Sequence, residues 1–149
     1  MLATLKKLFS TSVARSSRPA DDPILGELRL SDGGTWWEAS TTVGGGSVGF
    51  KIGGGVGPDA NLVTHAHDIV DSFTEFQKII REFLVEEARR VKHLRQFAHE
   101  IEQLRIEDVC LFWPKRPNDG MIYFKGPDKY RVWRCDYVGR KPKGLGFDD

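Results

Sequence analysis

The sequence predicts an α+β domain: an N-terminal three-strand meander and a C-terminal three-strand meander, both antiparallel, with a helical segment of two or three helices between them. Three observations predict it. Short alternating or wholly apolar runs bounded by Gly, Pro, Asn and Asp occupy residues 24–52 and again residues 106–138. Neither glycine nor proline occurs between Pro58 and Pro114, so nothing there interrupts a helix. Within that stretch Ile69, Phe73, Phe76, Ile80 and Phe83 recur at spacings of four and three, the period of one helix face. At 149 residues the chain is long enough for one domain with a core of its own. That domain is expected over residues 22–149, behind a flexible basic tail at 1–21.

The totals exclude more than they assign. With 40% hydrophobic and 29% charged residues and a net charge of +1, no overall field commits the chain to nucleic acid or to a membrane surface. No apolar run approaches the roughly 18–20 residues of a membrane helix. The charge is uneven, however: residues 21–104 hold 14 acids against 8 bases, and Cys110 to Lys143 hold nine bases against three acids. Such a split makes either a two-sided surface or two halves that neutralise each other across the fold. Cys110 and Cys135 are the only cysteines. Two cysteines without a secretory segment read as buried thiols, although strands that are neighbours would let them pair.

Residues 1–20 are basic, rich in Ser and Thr and free of acids. A mitochondrial transit peptide has this composition, and so does a loose N-terminal tail. In ILGELRL, residues 24–30, alternate positions are apolar; SDGG turns the chain, TWWEASTTV returns, and SVGFKIGG makes the third strand. On a strand, Trp36 and Trp37 point to opposite faces. Gly44-Gly45-Gly46-Ser47-Val48-Gly49 spells G-x-G-x-x-G. A dinucleotide loop of that pattern must open a helix, whereas SVGFKI reads as strand, so a hairpin turn is expected. Gly53 to Pro58 is a flexible connector.

Helices are expected at Asn61–Val70, Phe73–Leu94 and near Phe97–Leu104, the second begun by a capping box at Ser72-Phe73-Thr74-Glu75. The aromatic stripe is core; a coiled-coil seam on the second half is the alternative. His65 and His67, two apart on a helix, diverge, and His93 and His99 diverge as well, so no metal site is read. No motif asks for a cofactor. Asp68, Asp71 and Glu75 share one helix face, either as a solvated row or as an acidic strip for a basic partner.

Val109 to Trp113 is apolar at every position, the mark of a central strand. KRPNDG turns it into GMIYFKG, and GPDK turns that into YRVWRCDYV. In the last strand each face carries an arginine and an aromatic ring. That pairing is what protein interfaces concentrate, and what single-stranded nucleic acid stacks on. It also fits an arginine paired internally beside a tryptophan that closes the core. Leu145 and Phe147 of the tail are placed to tuck back onto the sheet.

Phe112-Trp113-Pro114, Gly120 to Phe124, Arg131 to Tyr137 and Gly144 to Asp148, with Pro23 to Gly26 and Trp36 to Glu38, resemble a family of small bacterial proteins of unknown function. Its members look like immunity proteins of polymorphic toxin systems. The resemblance spans about residues 22–148 and implies an α+β cytoplasmic domain. It favours the tail over the transit peptide, which would place the protein in mitochondria. It carries no catalytic residues.

The expected function is non-catalytic: a cytoplasmic protein-binding domain that neutralises a cognate toxin by occlusion, with Trp113, Arg116, Tyr123, Arg131 and Trp133 as anchors. Against a basic toxin the acidic face Asp68, Asp71 and Glu75 takes that part. The alternative is a nucleic-acid-binding module stacking bases on Tyr123, Phe124, Arg131 and Trp133. An enzyme is disfavoured, because no nucleophile elbow, phosphate loop or metal cluster emerges and a strand-embedded Cys135 is usually inert.

Overall fold

A computed structural model describes residues 18–148. The protein is α+β, as expected, but its strands number eight rather than six, and they form one sheet. In chain order they are β1 (Ala20–Asp22), β2 (Gly26–Leu30), β3 (Trp37–Val43) and β4 (Gly46–Ile52), then β5 (Arg105–Leu111), β6 (Gly120–Lys125), β7 (Val132–Val138) and β8 (Lys141–Asp148). Spatial order follows chain order, and every pairing is antiparallel except that of β4 with β5. That parallel pair welds the two meanders together. A parallel connection needs a long crossover, and the helical middle supplies it: α1 (Ala60–Asp71), α2 (Phe73–Arg90), a 3-10 segment (Lys92–Phe97) and α3 (Ala98–Glu102).

Two corrections concern the extra strands. ILGELRL is not one strand: the Asp22 carboxylate accepts from the Ile24 and Leu25 amides at 2.9 and 2.7 Å, which bends the chain over 22–25 and leaves Ala20–Asp22 as a separate strand. Strand β1 thus lies largely inside the stretch expected to be tail; residues 1–17, which hold the rest of the proposed tail or transit peptide, lie outside the described residues. The tail RKPKGLGFDD does tuck back, and it does so as β8, paired with β7 and burying Leu145.

The helical middle is also cut differently. The helix expected to Leu94 ends at Arg90, and the chain passes through extended Val91 into the 3-10 segment. No capping box forms at Ser72. Its hydroxyl instead donates to the Asp68 carbonyl at 2.7 Å and its amide to the same carbonyl at 3.1 Å, so the Ser72 side chain turns back onto α1 while its carbonyl accepts from the Phe76 amide at 2.9 Å to open α2.

Strand residues of one parity are buried beneath the helices: Trp37, Ala39 and Thr41 on β3; Val48, Phe50 and Ile52 on β4; Val109 and Leu111 on β5; Ile122 and Phe124 on β6; Trp133, Cys135 and Tyr137 on β7. The helices meet them with Leu62, Ala66, Ile69, Phe73, Phe76, Ile80 and Leu84, so the aromatic stripe is core. The alternate parity, which includes Glu38, Ser40, Lys51, Asp108, Met121, Tyr123 and Arg134, forms an uncovered face. Cys110 lies on that face, in register between Lys51 and Met121, while Cys135 lies on the other. With β6 between them and opposite faces as well, the two thiols remain free and do not pair. Among the described residues no helix is long and apolar enough to cross a membrane.

Candidate functional site

The structure sorts the five expected anchors into two groups. Arg131 and Trp133 are architectural. Trp133 has no exposed surface at all; its indole N–H donates to the Glu100 carboxylate at 3.0 Å. The Arg131 guanidinium reaches both oxygens of the same carboxylate at 2.8 Å and Asp128 at 3.5 Å. It also lies 4.7 Å from the centre of the Phe97 ring and 5.2 Å from that of Phe147. Phe147 in turn packs on Trp133 at 4.7 Å. One carboxylate from α3 therefore ties β7 to the helical layer, with β8 and the 3-10 segment closing around it. A tryptophan in that position cannot meet a partner, and the expectation that it would is corrected. Its alternation on β7 was read properly. The error lay in supposing that the arginine kept the strand at the surface, when a carboxylate from a distant helix neutralises it.

Trp113 and Arg116 form the second group. The Arg116 guanidinium stands 4.6 Å over the Trp113 ring, a cation–π contact at a half-buried indole. Trp113 meets Phe112 edge-on at 6.2 Å, and Phe112 meets Trp36 at 5.4 Å. Lys51 lies 5.6 Å over the Trp36 ring, and the Trp36 indole N–H donates to Glu38 at 2.6 Å. Three half-buried rings and two cations thus run together at one end of the uncovered sheet face. Sequence reasoning missed Trp36, Phe112 and Lys51. The signal was present: if Trp37 points inward, Trp36 points outward, and Phe112 follows Cys110 outward on β5. Tyr123 stands on the same uncovered face, in register between Asp108 and Arg134 and further from the strand end.

The loop that carries Trp113 and Arg116 is held from three sides. Its own turns close through the Arg116 amide to the Trp113 carbonyl at 2.9 Å and the Asp119 amide to the Arg116 carbonyl at 3.1 Å. The β7–β8 turn grips it: the Arg140 amide donates to the Asn118 carbonyl at 2.9 Å, and the Gly139 amide to the Asp119 carboxylate at 2.9 Å. From α1, buried His65 donates through Nδ1 to the Pro117 carbonyl. A carbonyl only accepts, so Nδ1 carries the proton and Nε2 is left to accept from the Tyr137 hydroxyl at 3.4 Å. Burial, first of all, lowers the His65 pKa; the nearby Arg140 charge adds to this, while the Pro117 bond and Asp68 oppose it. His65 is accordingly a neutral structural clasp, while His67 bonds Asp22 on β1 at 2.8 Å. The two histidines serve different strands.

On the acidic face, Asp68 is engaged internally by Arg140 at 3.2 Å, while Asp71 and Glu75 are exposed. The base-stacking surface of the alternative reading is not formed, because Phe124 and Trp133 lie beneath the helices and Arg131 is committed to Glu100. Both thiols are pushed up to about 12, chiefly by burial, which leaves them protonated and unreactive near neutrality. Among the described residues no three His, Cys, Asp or Glu side chains converge as a metal site. Comparison of the chain with protein-family models, with curated proteins and with solved structures finds no match.

Proposed function

We propose that the protein is a non-catalytic protein-binding domain, in its sharpest form an immunity protein that occludes a cognate toxin. The binding surface is the end of the uncovered sheet face where Trp36, Phe112, Trp113 and Arg116 meet. One observation carries this reading: rings and a guanidinium, the groups that dominate interface energetics, lie half exposed on a loop pinned by hydrogen bonds from α1 and from the β7–β8 turn. Pinning matters because a surface already ordered loses little freedom on association. Lys51 lies 3.8 Å from Asp108 and Glu38 sits beside Trp36, so the cation the patch offers is Arg116, which fits an acidic or acceptor group on the toxin.

The test is co-expression with the product of an adjacent gene that encodes a secretion-associated N-terminal region. A stable complex is expected. Trp113→Ala and Arg116→Glu should each weaken it by about 2 kcal/mol, roughly thirty-fold, as truncated anchors do. Both residues lie outside the core, so the variants should keep the parent's unfolding midpoint. Full retention of the partner by both variants would show that this is not the surface.

A further inference from the structure

The glycine hairpin that spells G-x-G-x-x-G is a turn, yet it forms one wall of an open cleft of about 810 Å3. The cleft lies at the other end of β5 from the ring cluster. Its remaining walls come from α2 and from the facing ends of β5 and β6.

Four cations line it, Lys78, Arg81, Arg105 and Lys125, against one carboxylate, Glu107. Among the described residues none of the four lies within ion-pair distance of an acid. Arg29, Arg89, Arg90, Arg131, Arg134 and Arg140 each have a carboxylate, while Arg95 and Arg116, like the two cleft arginines, have none among the described residues. Arg105 and Lys125 are moreover direct cross-strand partners, an arrangement of like charges that weakens a sheet. The Arg81 guanidinium donates to the Glu102 and Leu104 carbonyls at 3.0 and 2.7 Å. Those bonds fix its position without neutralising it, and they leave three of its five N–H donors for other acceptors.

The glycines divide by purpose. Gly44 has φ +60°, and a Cβ there would sit 2.8 Å from the Phe73 ring, so glycine is required to seat the hairpin on α2. Gly46 has no positive φ, and a Cβ there would meet nothing within 4 Å. Neither backbone nor packing asks for glycine at 46. It shares the helix-facing parity of Val48 and Phe50 on β4, so a side chain there would enter the cleft. Its absence keeps the cleft open. Buried Ile80, Leu84 and Phe124 supply an apolar floor.

The geometry points to this cleft as the binding site of a phosphate-bearing small molecule, its anionic group held by Lys78 and Arg81 of α2, with Arg105 and Lys125, which have the parity of the uncovered face, at its rim where β5 and β6 end, and its organic part resting on the Ile80, Leu84 and Phe124 floor. Guanidinium groups bind phosphate through paired N–H donors, and the volume lies within the usual range for small-ligand sites.

Calorimetric titration of the whole chain with ADP, pyrophosphate and adenosine tests it. ADP should bind, pyrophosphate should bind more weakly, and adenosine should not bind at about 1 mM. Lys78→Gln should weaken ADP about tenfold or more. Gly46→Trp, which fills the cleft without touching a cation, should abolish binding while the unliganded melting temperature holds. Failure of both ADP and pyrophosphate to bind at about 1 mM would overturn the assignment. So would ADP binding unchanged in both variants, or binding confined to long polyanions such as heparin.

Discussion

Glu100 is the single carboxylate on which most of the C-terminal packing depends. It satisfies the Trp133 indole N–H and neutralises Arg131, and both pairs are largely shielded from water. Replacing it with alanine strands a buried donor and a guanidinium together, so Glu100→Ala should cost about 2–4 kcal/mol, read as a lower urea midpoint. Trp133→Ala, in a fully enclosed site, should cost about 3–5 kcal/mol. His65 adds a pH dependence whose sign is fixed. Its folded pKa lies below the ordinary imidazole value of 6.5, so the unfolded chain binds the extra proton. Its contribution to stability is complete above 6.5 and is lost as the pH falls from there through the folded value. Urea midpoints measured across that range should decline on acidification, and His65→Gln should flatten the decline. Asp22 acts lower on the scale: burial would raise its pKa, but the Leu25 and Ile24 amides and His67 together hold it below 3.8, so its contribution is lost only beneath that value. Which residues of a strand share a face was legible at this scale, because alternation is a property of the backbone; which face of the C-terminal strands turns inward was not, because apolar residues stand on both. The partner of Arg131 was not, because it is thirty-one residues distant.

At the scale of elements, the hairpins follow from local chemistry and the helix ends do not. Gly44 and Gly45 both have positive φ, which a two-residue turn between β3 and β4 demands. Gly44→Ala should therefore destabilise by about 1–2 kcal/mol, through the φ penalty and contact with Phe73, while Gly46→Ala should be nearly neutral; thermal midpoints distinguish them. The Ser72 capping box does not form because two helices meet at one residue: with φ −115° and ψ 33° it lacks the extended backbone of a capping residue, and its hydroxyl points back to Asp68. Likewise the apolar period runs on past Arg90, but the chain must turn there to bring α3 back to the sheet. Of the ring cluster, Arg116 was legible as a turn residue, whereas Trp113 was expected to end a strand that in fact stops at Leu111. Trp36 and Phe112 belong to different meanders, and nothing local announces that they touch.

For the whole molecule, the parallel β4–β5 pair is the decisive feature. It makes one sheet of two meanders, and a single cluster of buried residues runs from Leu25 to Leu145. Unfolding should then be one transition, with tryptophan fluorescence and far-ultraviolet dichroism coincident in urea. Residues 18–58 expressed alone should not fold, since β4 would lose its β5 partner and the helices that cover it. The uneven charge of the chain is largely resolved within the fold: Arg131 with Glu100 and Arg140 with Asp68 join the basic end to the acidic middle. Lys78, Arg81, Arg105 and Lys125, which have no such partner among the described residues, line the cleft.

The sequence by itself determined the class of the protein, the alternation along its strands, the helical middle and most of its turns. Each of these rests on interactions between residues a few positions apart, where period and residue type suffice. Only the tertiary structure decided that the two meanders are one sheet, that Arg131 and Trp133 are sealed while Trp113 and Arg116 are presented, and that four cations surround a glycine turn. Those outcomes depend on pairings between segments far apart in the chain, set by which strand edges meet and which charge lies opposite, and no local pattern records them.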